Sequence, residues 1–177
     1  MEHQINSKKK VFEGHAIDVE LLNVSLPDGR RRNYELVFHR DSVTIIPIEK
    51  NGDIWFVEQY RMGSEKKLIE LPAGVIDDGE SPAECAARET REEIGMAAGQ
   101  LTHIGAVYLA PGYSSELNHI FLAEELKPDP LQQDDDEFLS VHKLADGQLA
   151  DLITEGRLQD SKSLAALLIY HQKSRKS

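Results

Sequence analysis

The chain has 177 residues, the span of one ordinary domain or of a domain with a small appendage. Hydrophobic residues make up 40% and charged residues 29%, which excludes a disordered tail and a collagen-like rod. The 31 acidic side chains outnumber the 20 basic ones, and the net charge of −11 argues against wrapping a nucleic-acid duplex and against docking on an anionic membrane. In chain order, residues 16–25 alternate in part between apolar and polar, as a half-buried strand does. Pro27-Asp28-Gly29 supplies a turn, and residues 31–39 read as the returning strand. Residues 43–48 and 54–60 flank Asn51-Gly52, a strong hairpin signal. Residues 67–71, 101–109 and 119–126 read as three more strands. Helices are expected over about 82–94, 146–155 and 161–172, the last with Ser161 as N-cap.

Strands and helices mix without regular βαβ alternation, so the expected class is α+β. A composition boundary near residues 40–42 divides an N-terminal β segment, 1–41, from a main domain, 42–177. The single cysteine, Cys85, has no internal disulfide partner, and the polar start from Met1 to Lys10 lacks an apolar leader. No run reaches the roughly 18 apolar residues that cross a bilayer. These features give a soluble, cytoplasmic protein as the expectation. Trp55 reads as core, Cys85 as a buried filler, and the histidines show no metal-ligand spacing.

The informative stretch is GVIDDGESPAECAARETREEIGM, from Gly74 to Met96. Ser81-Pro82-Ala83-Glu84 fits a capping box with proline at the first helical position, and Gly95 suits the residue after the helix. At 100° per residue, Ala83, Ala86, Ala87, Thr90 and Ile94 share a face that should pack on a sheet. Glu89, Glu92 and Glu93 lie one turn apart on a neighbouring face and repel each other. Arg88 is one charge against three. A divalent cation is the efficient counter-charge, and hard oxygen donors suit magnesium or manganese. A solvated acidic face is the plain alternative for the bare RETREE run, but the small-residue loop Leu71-Pro72-Ala73-Gly74 and the acids Asp77, Asp78 and Glu80 weigh against it.

This segment resembles the Nudix box, G-x5-E-x7-R-E-U-x-E-E-x-G-U with U aliphatic. It matches at Gly74, Glu80, Arg88, Glu89, Glu92, Glu93, Gly95 and Met96, and departs only at Thr90. Glu58-Gln59-Tyr60-Arg61 followed by Glu70-Leu71-Pro72-Ala73-Gly74 is similar to a run in the ADP-ribose pyrophosphatases of that family. So is Ala110-Pro111-Gly112-Tyr113-Ser114-Ser115-Glu116, and Glu137 to Val141 resembles their acidic loop. The likeness spans about residues 30–145.

The resemblance implies a Nudix-type α/β/α sandwich with a mixed sheet behind a small N-terminal β segment. It implies magnesium- or manganese-dependent hydrolysis of a nucleoside diphosphate linked to another moiety, with ADP-ribose giving AMP and ribose 5-phosphate as the leading case. Another nucleoside-diphosphate sugar of the GDP-mannose type, or several ADP-linked compounds, is the alternative, and a sensor without turnover is a third reading. Glu89, Glu92, Glu93 and the carbonyl of Ala73 are the implied metal ligands. Glu92, Glu93 and Arg88 belong to the implied catalytic set, with Glu80 and Arg88 bracing the loop. Glu137 is the implied general base and Asp135 the fallback. Arg61, Tyr34, Leu109, Pro111 and Glu116 are the implied substrate contacts, although core packing is an equal reading for Tyr34. The N-terminal segment is implied to build a homodimer.

Overall fold

The structure, a computed structural model, describes residues 2–132 and 138–175. Among the described residues, twelve strands and three helices follow in the order β1 (Gln4–Glu13), β2 (Asp18–Ser25), β3 (Arg31–Phe38), β4 (Ser42–Pro47), β5 (Ile54–Arg61), β6 (Lys66–Glu70), β7 (Ala73–Val75), α1 (Pro82–Ile94), β8 (Met96–Ala97), β9 (Gln100–Tyr108), β10 (Leu117–Glu124), β11 (Lys127–Pro128), β12 (Ser140–Leu144), α2 (Asp146–Thr154) and α3 (Ser161–Ser174). The class is α+β, as the sequence indicates. The chain divides into two compact units, Met1–Asp41 with Tyr108–Leu117, and Ser42–Val107 with Asn118–Ser177.

The first unit is an antiparallel sheet in the order β1-β2-β3. Gly29, at φ +86°, makes the turn between β2 and β3, and Asp28 Oδ1 accepts the backbone N–H of Arg30 at 3.0 Å. A ladder of asparagine amides crosses the sheet: Asn6 Nδ2 donates to Asn23 Oδ1 at 3.1 Å, and Asn23 Nδ2 donates to Asn33 Oδ1 at 2.8 Å. The ladder pins the register, because a one-residue slip would send these amides to the opposite face. The segment Tyr108–Leu117 joins this sheet through Val37, whose N–H donates to the carbonyl of Tyr113 at 2.7 Å. β1 has no counterpart in the sequence reading. Its run Ser7-Lys8-Lys9-Lys10 is polar on both faces, and all ten residues are exposed, so the alternation that marks a half-buried strand is missing.

In the second unit a mixed sheet runs β7-β4-β10-β9, and a second sheet runs β12-β5-β6. β4 lies parallel to β10 and antiparallel to β7. All six of its residues are buried, Ser42 and Thr44 among them, and the burial covers both faces, as a strand inside a layered core requires. Val43 and Ile45 of β4 pack with Phe121, Ala123 and the α1 residues Cys85 and Ala86. Ile46 packs on the other side with Phe56, Leu71, Ile120, Leu149 of α2 and Ala166 and Leu167 of α3. Helices thus cover the core from both sides, in an α/β/α sandwich.

Three local expectations are corrected. Asn51-Gly52 does form a turn, with Gly52 at φ +91° and its N–H on the carbonyl of Glu49 at 2.9 Å. Only the bridge Ile48↔Ile54 follows, and the flanking strands then enter different sheets, because β4 pairs with β7 and β10 while β5 pairs with β6 and β12. Trp55 is half-buried rather than core: its ring lies under Lys143 Nζ at 4.3 Å and its indole N–H donates to Glu49 Oε1 at 3.0 Å. The N-cap of α3 is Asp160, whose carboxylate accepts the Ser163 N–H at 2.9 Å, and Ser161 is the first helical residue.

Candidate active site

α1 forms where its caps dictate. Ser81 Oγ accepts the N–H of Glu84, Glu84 Oε2 accepts the N–H of Ser81 at 2.9 Å, and Gly95 closes the helix at φ +70°. The packed face is rotated from the expected one. Cys85, Ala86, Glu89, Thr90, Glu93 and Ile94 are buried, whereas Ala83 is exposed and Ala87 half-buried. Two of the three glutamates therefore sit on the inward face rather than beside it. Thr90 accommodates its departure from the aliphatic pattern by donating its hydroxyl to the carbonyl of Ala86 at 2.6 Å. Burial pushes the Cys85 thiol up, in keeping with an inert filler.

Ala73-Gly74 of β7 lies directly against these glutamates. Glu93 is 2% exposed, and its Oε2 accepts the backbone N–H of Ala73 at 3.0 Å. A Cβ on Gly74 would stand 1.7 Å from Glu89 Oε1, so only glycine lets the backbone come this close. Arg88 gathers the rest. Its Nη1 donates to Glu89 Oε1 at 2.7 Å and to Glu92 Oε2 at 2.8 Å, while Nε and Nη2 fork onto Glu80 at 2.9 and 3.0 Å. The paired guanidinium is what chiefly holds the Glu80 carboxyl down, to about 2, against its partial burial, with help from the N–H of Asp77. Glu80 and Arg88 thus tie the loop before α1 to the helix.

Among the described residues no three His, Cys, Asp or Glu side chains stand ready as a metal cage, since Glu89 and Glu92 lean on Arg88. The donor set nevertheless suits a hard divalent cation. It offers carboxylate oxygens alone from Glu89, Glu92 and Glu93, with backbone pressed against two of them, and the Gly74 cradle has no side chain to obstruct it.

Arg61, at the end of β5, forks onto Glu70: Nε donates to Oε1 at 2.8 Å and Nη2 to Oε2 at 2.7 Å. Glu70 is 1% exposed, and Lys162 of α3 contacts the same Oε2. Burial opposes ionisation of Glu70, but Arg61 and Lys162 outweigh it and hold the carboxyl below its ordinary value. Sequence reasoning assigned Glu70 no role and missed Lys162 altogether. The signal was faint, a lysine just inside a helix start 92 residues downstream of Glu70.

In the first unit, Tyr34 is 40% exposed on β3, opposite Leu22, so it is not a core residue. Leu109 and Glu116 are half-buried and joined by a backbone hydrogen bond, Pro111 is exposed, and the Glu116 carboxylate lies 3.7 Å from His39 Nδ1. Glu137 and Asp135 lie outside the described residues.

Residues 38–167 match the family described as NUDIX domain, and the chain belongs to that family. It is 34% identical to an ADP-ribose pyrophosphatase of Bacillus subtilis (strain 168), covering 94% of this chain and 91% of that protein. It is 33% identical to a methanol dehydrogenase activator of Bacillus methanolicus, covering 90% and 87%. The crystal structure of an ADP compounds hydrolase superposes with a TM-score of 0.90 at 28% identity, covering 99% of this chain and 96% of that one.

Proposed function

We propose that the protein hydrolyses the diphosphate of ADP-linked compounds, with ADP-ribose split to AMP and ribose 5-phosphate. The observation that carries this reading is the pressing of the Ala73-Gly74 backbone onto Glu89 and Glu93 within a complete set of box glutamates. The chain is a Nudix hydrolase acting on pyrophosphate bonds. The metal is magnesium, with manganese as substitute, held by Glu89, Glu92, Glu93 and the carbonyl of Ala73. When bound, it supplies Lewis acidity at the phosphoryl oxygens and lowers the pKa of a nearby water.

The chain's own residues do the rest. Arg88 and Glu80 hold the loop and helix together, so that the carboxylates keep a fixed spacing. Arg61 spends one edge of its guanidinium on Glu70 and has a side chain 41% exposed, which leaves N–H groups of the same guanidinium to meet a substrate phosphate. Glu137 takes the proton of the attacking water, and Asp135 stands as its substitute. Tyr34, Leu109, Pro111 and Glu116 are the remaining substrate contacts. The protein works as a homodimer in the cytoplasm. No helix among the described residues is long and apolar enough to cross a membrane.

Glu89→Gln and Glu93→Gln are the sharpest test. Each should lower kcat by about 100-fold or more with a far smaller change in KM, because these carboxylates act chiefly in the transition state. Steady-state kinetics on ADP-ribose reads this directly, and wild-type kcat in both variants would refute the assignment. A panel that includes GDP-mannose decides between the adenine and the broader nucleotide-sugar reading by the ratio of kcat/KM values.

A further inference from the structure

Lys162 has no part in the box or in the loops assigned to substrate, yet it ends on a buried carboxylate at the edge of the site. Glu70 is 1% exposed and carries Arg61 as a two-point fork at 2.8 and 2.7 Å. One arginine on the rim is thin compensation for a carboxylate so deeply buried. Lys162, with a side chain only 14% exposed, contacts Oε2 of the same carboxylate and is itself held by Asp160 Oδ1 at 2.9 Å. Asp160 also accepts the Ser163 hydroxyl at 2.5 Å, and Ser163 Oγ in turn accepts the N–H of Leu71 at 2.7 Å. The start of α3 therefore grips both Glu70 and the next residue of the loop that leads to Ala73. Two cations and two carboxylates balance in this quartet, and the fields of Glu93 and Asp160 also reach Arg61.

We propose that Lys162 is a positioning residue for substrate binding: by neutralising and anchoring Glu70 it fixes the orientation in which Arg61 meets the diphosphate. This rests on the reading of Arg61 as a phosphate contact. Without Lys162, Glu70 and Asp160 place two negative charges against the single charge of Arg61, and an anionic substrate meets a less positive, less ordered guanidinium. The ion-pair partners of Lys162 are Glu70 and Asp160 rather than box residues, so the chemical step is spared.

The test is steady-state kinetics of the full chain on ADP-ribose with magnesium, for Lys162→Met, Lys162→Arg, Arg61→Gln and the double variant Arg61→Gln/Lys162→Met. Lys162→Met should raise KM about tenfold, the scale of one uncompensated charge beside the site, while kcat stays within about twofold. Lys162→Arg should restore KM. In the Arg61→Gln background, Lys162→Met should add almost nothing, because the two act on one interaction. If Lys162→Met does not fold, Lys162→Gln carries the same expectations. A wild-type KM in the charge-removing variant overturns the proposal, as does a loss that adds in full to that of Arg61→Gln, or a fall in kcat with KM unchanged. Arg61→Gln with a wild-type KM would instead remove the phosphate contact itself, so the two failures are told apart.

Discussion

The approach of the Gly74 backbone to the Glu89 carboxylate depends on one missing methyl group. Gly74 does not need a left-handed backbone; it needs the space that a Cβ would fill, 1.7 Å from Glu89 Oε1 and 2.0 Å from its carboxyl carbon. The neighbour is the end of a movable side chain, so Gly74→Ala should displace Glu89 rather than unfold the protein. We expect kcat to fall by about 100-fold, the usual penalty for a misplaced catalytic group, with little change in Tm. Comparing the thermal melt with the turnover of this variant checks it, and an alanine variant with full activity would show that the close approach is idle. Gly74 stands first in the Gly-x5-Glu spacing, so its importance was legible in the sequence. Its physical reason was not, because a spacing does not show which side chain fills the gap.

Helix α1 was legible almost to the residue because its ends are chemically marked: serine, proline and glutamate at the start, glycine at the finish. The inward face was legible only in part, because apolar and small residues alone were taken to define it. Ala86, Thr90 and Ile94 are buried as expected, but Glu89 and Glu93 share that face where Ala83 and Ala87 do not, with an arginine and a backbone N–H as partners that a helical wheel cannot show. α3 was misread at its cap for a similar reason, since Asp160 and Ser161 are both good caps and the fold chooses. The tie between the pre-helix loop and α1 gives a pH signature. The Glu80 carboxyl is lowered from 4.5 to about 2 by Arg88. A carboxyl depressed in the folded state adds stability that is fully present above its unfolded value and is lost as protons bind. Tm should therefore decline as pH falls from about 4.5 towards about 2, and Glu80→Gln should flatten that slope while lowering Tm at neutral pH. Parallel Tm profiles for the two proteins would show that the pair contributes nothing.

For the whole molecule, the α+β class and the Nudix-type sandwich were legible from the mixed element order and the box. The pairing of strands was not: the Asn51-Gly52 turn is real, yet tertiary partners draw β4 and β5 into separate sheets. The length of the N-terminal sheet was hidden as well, because the lysine-rich β1 lacks a buried face. That sheet exposes Ile5, Val11 and Phe12 at 50, 48 and 54%. A small sheet with so much apolar surface needs a cover, and a second copy of the chain is our proposal for it. Light scattering at micromolar concentration should return twice the mass of one chain, and a fully active monomer would contradict it.

On the proposed function, box glutamates and a divalent cation together split the diphosphate of an ADP-linked substrate. The direct measurement is product analysis of ADP-ribose incubated with the protein, in magnesium and in excess chelator. AMP and ribose 5-phosphate should form in equal amounts with magnesium, and neither in chelator until the metal is restored. Undiminished hydrolysis in excess chelator, or ADP-ribose left intact with either magnesium or manganese, would contradict it.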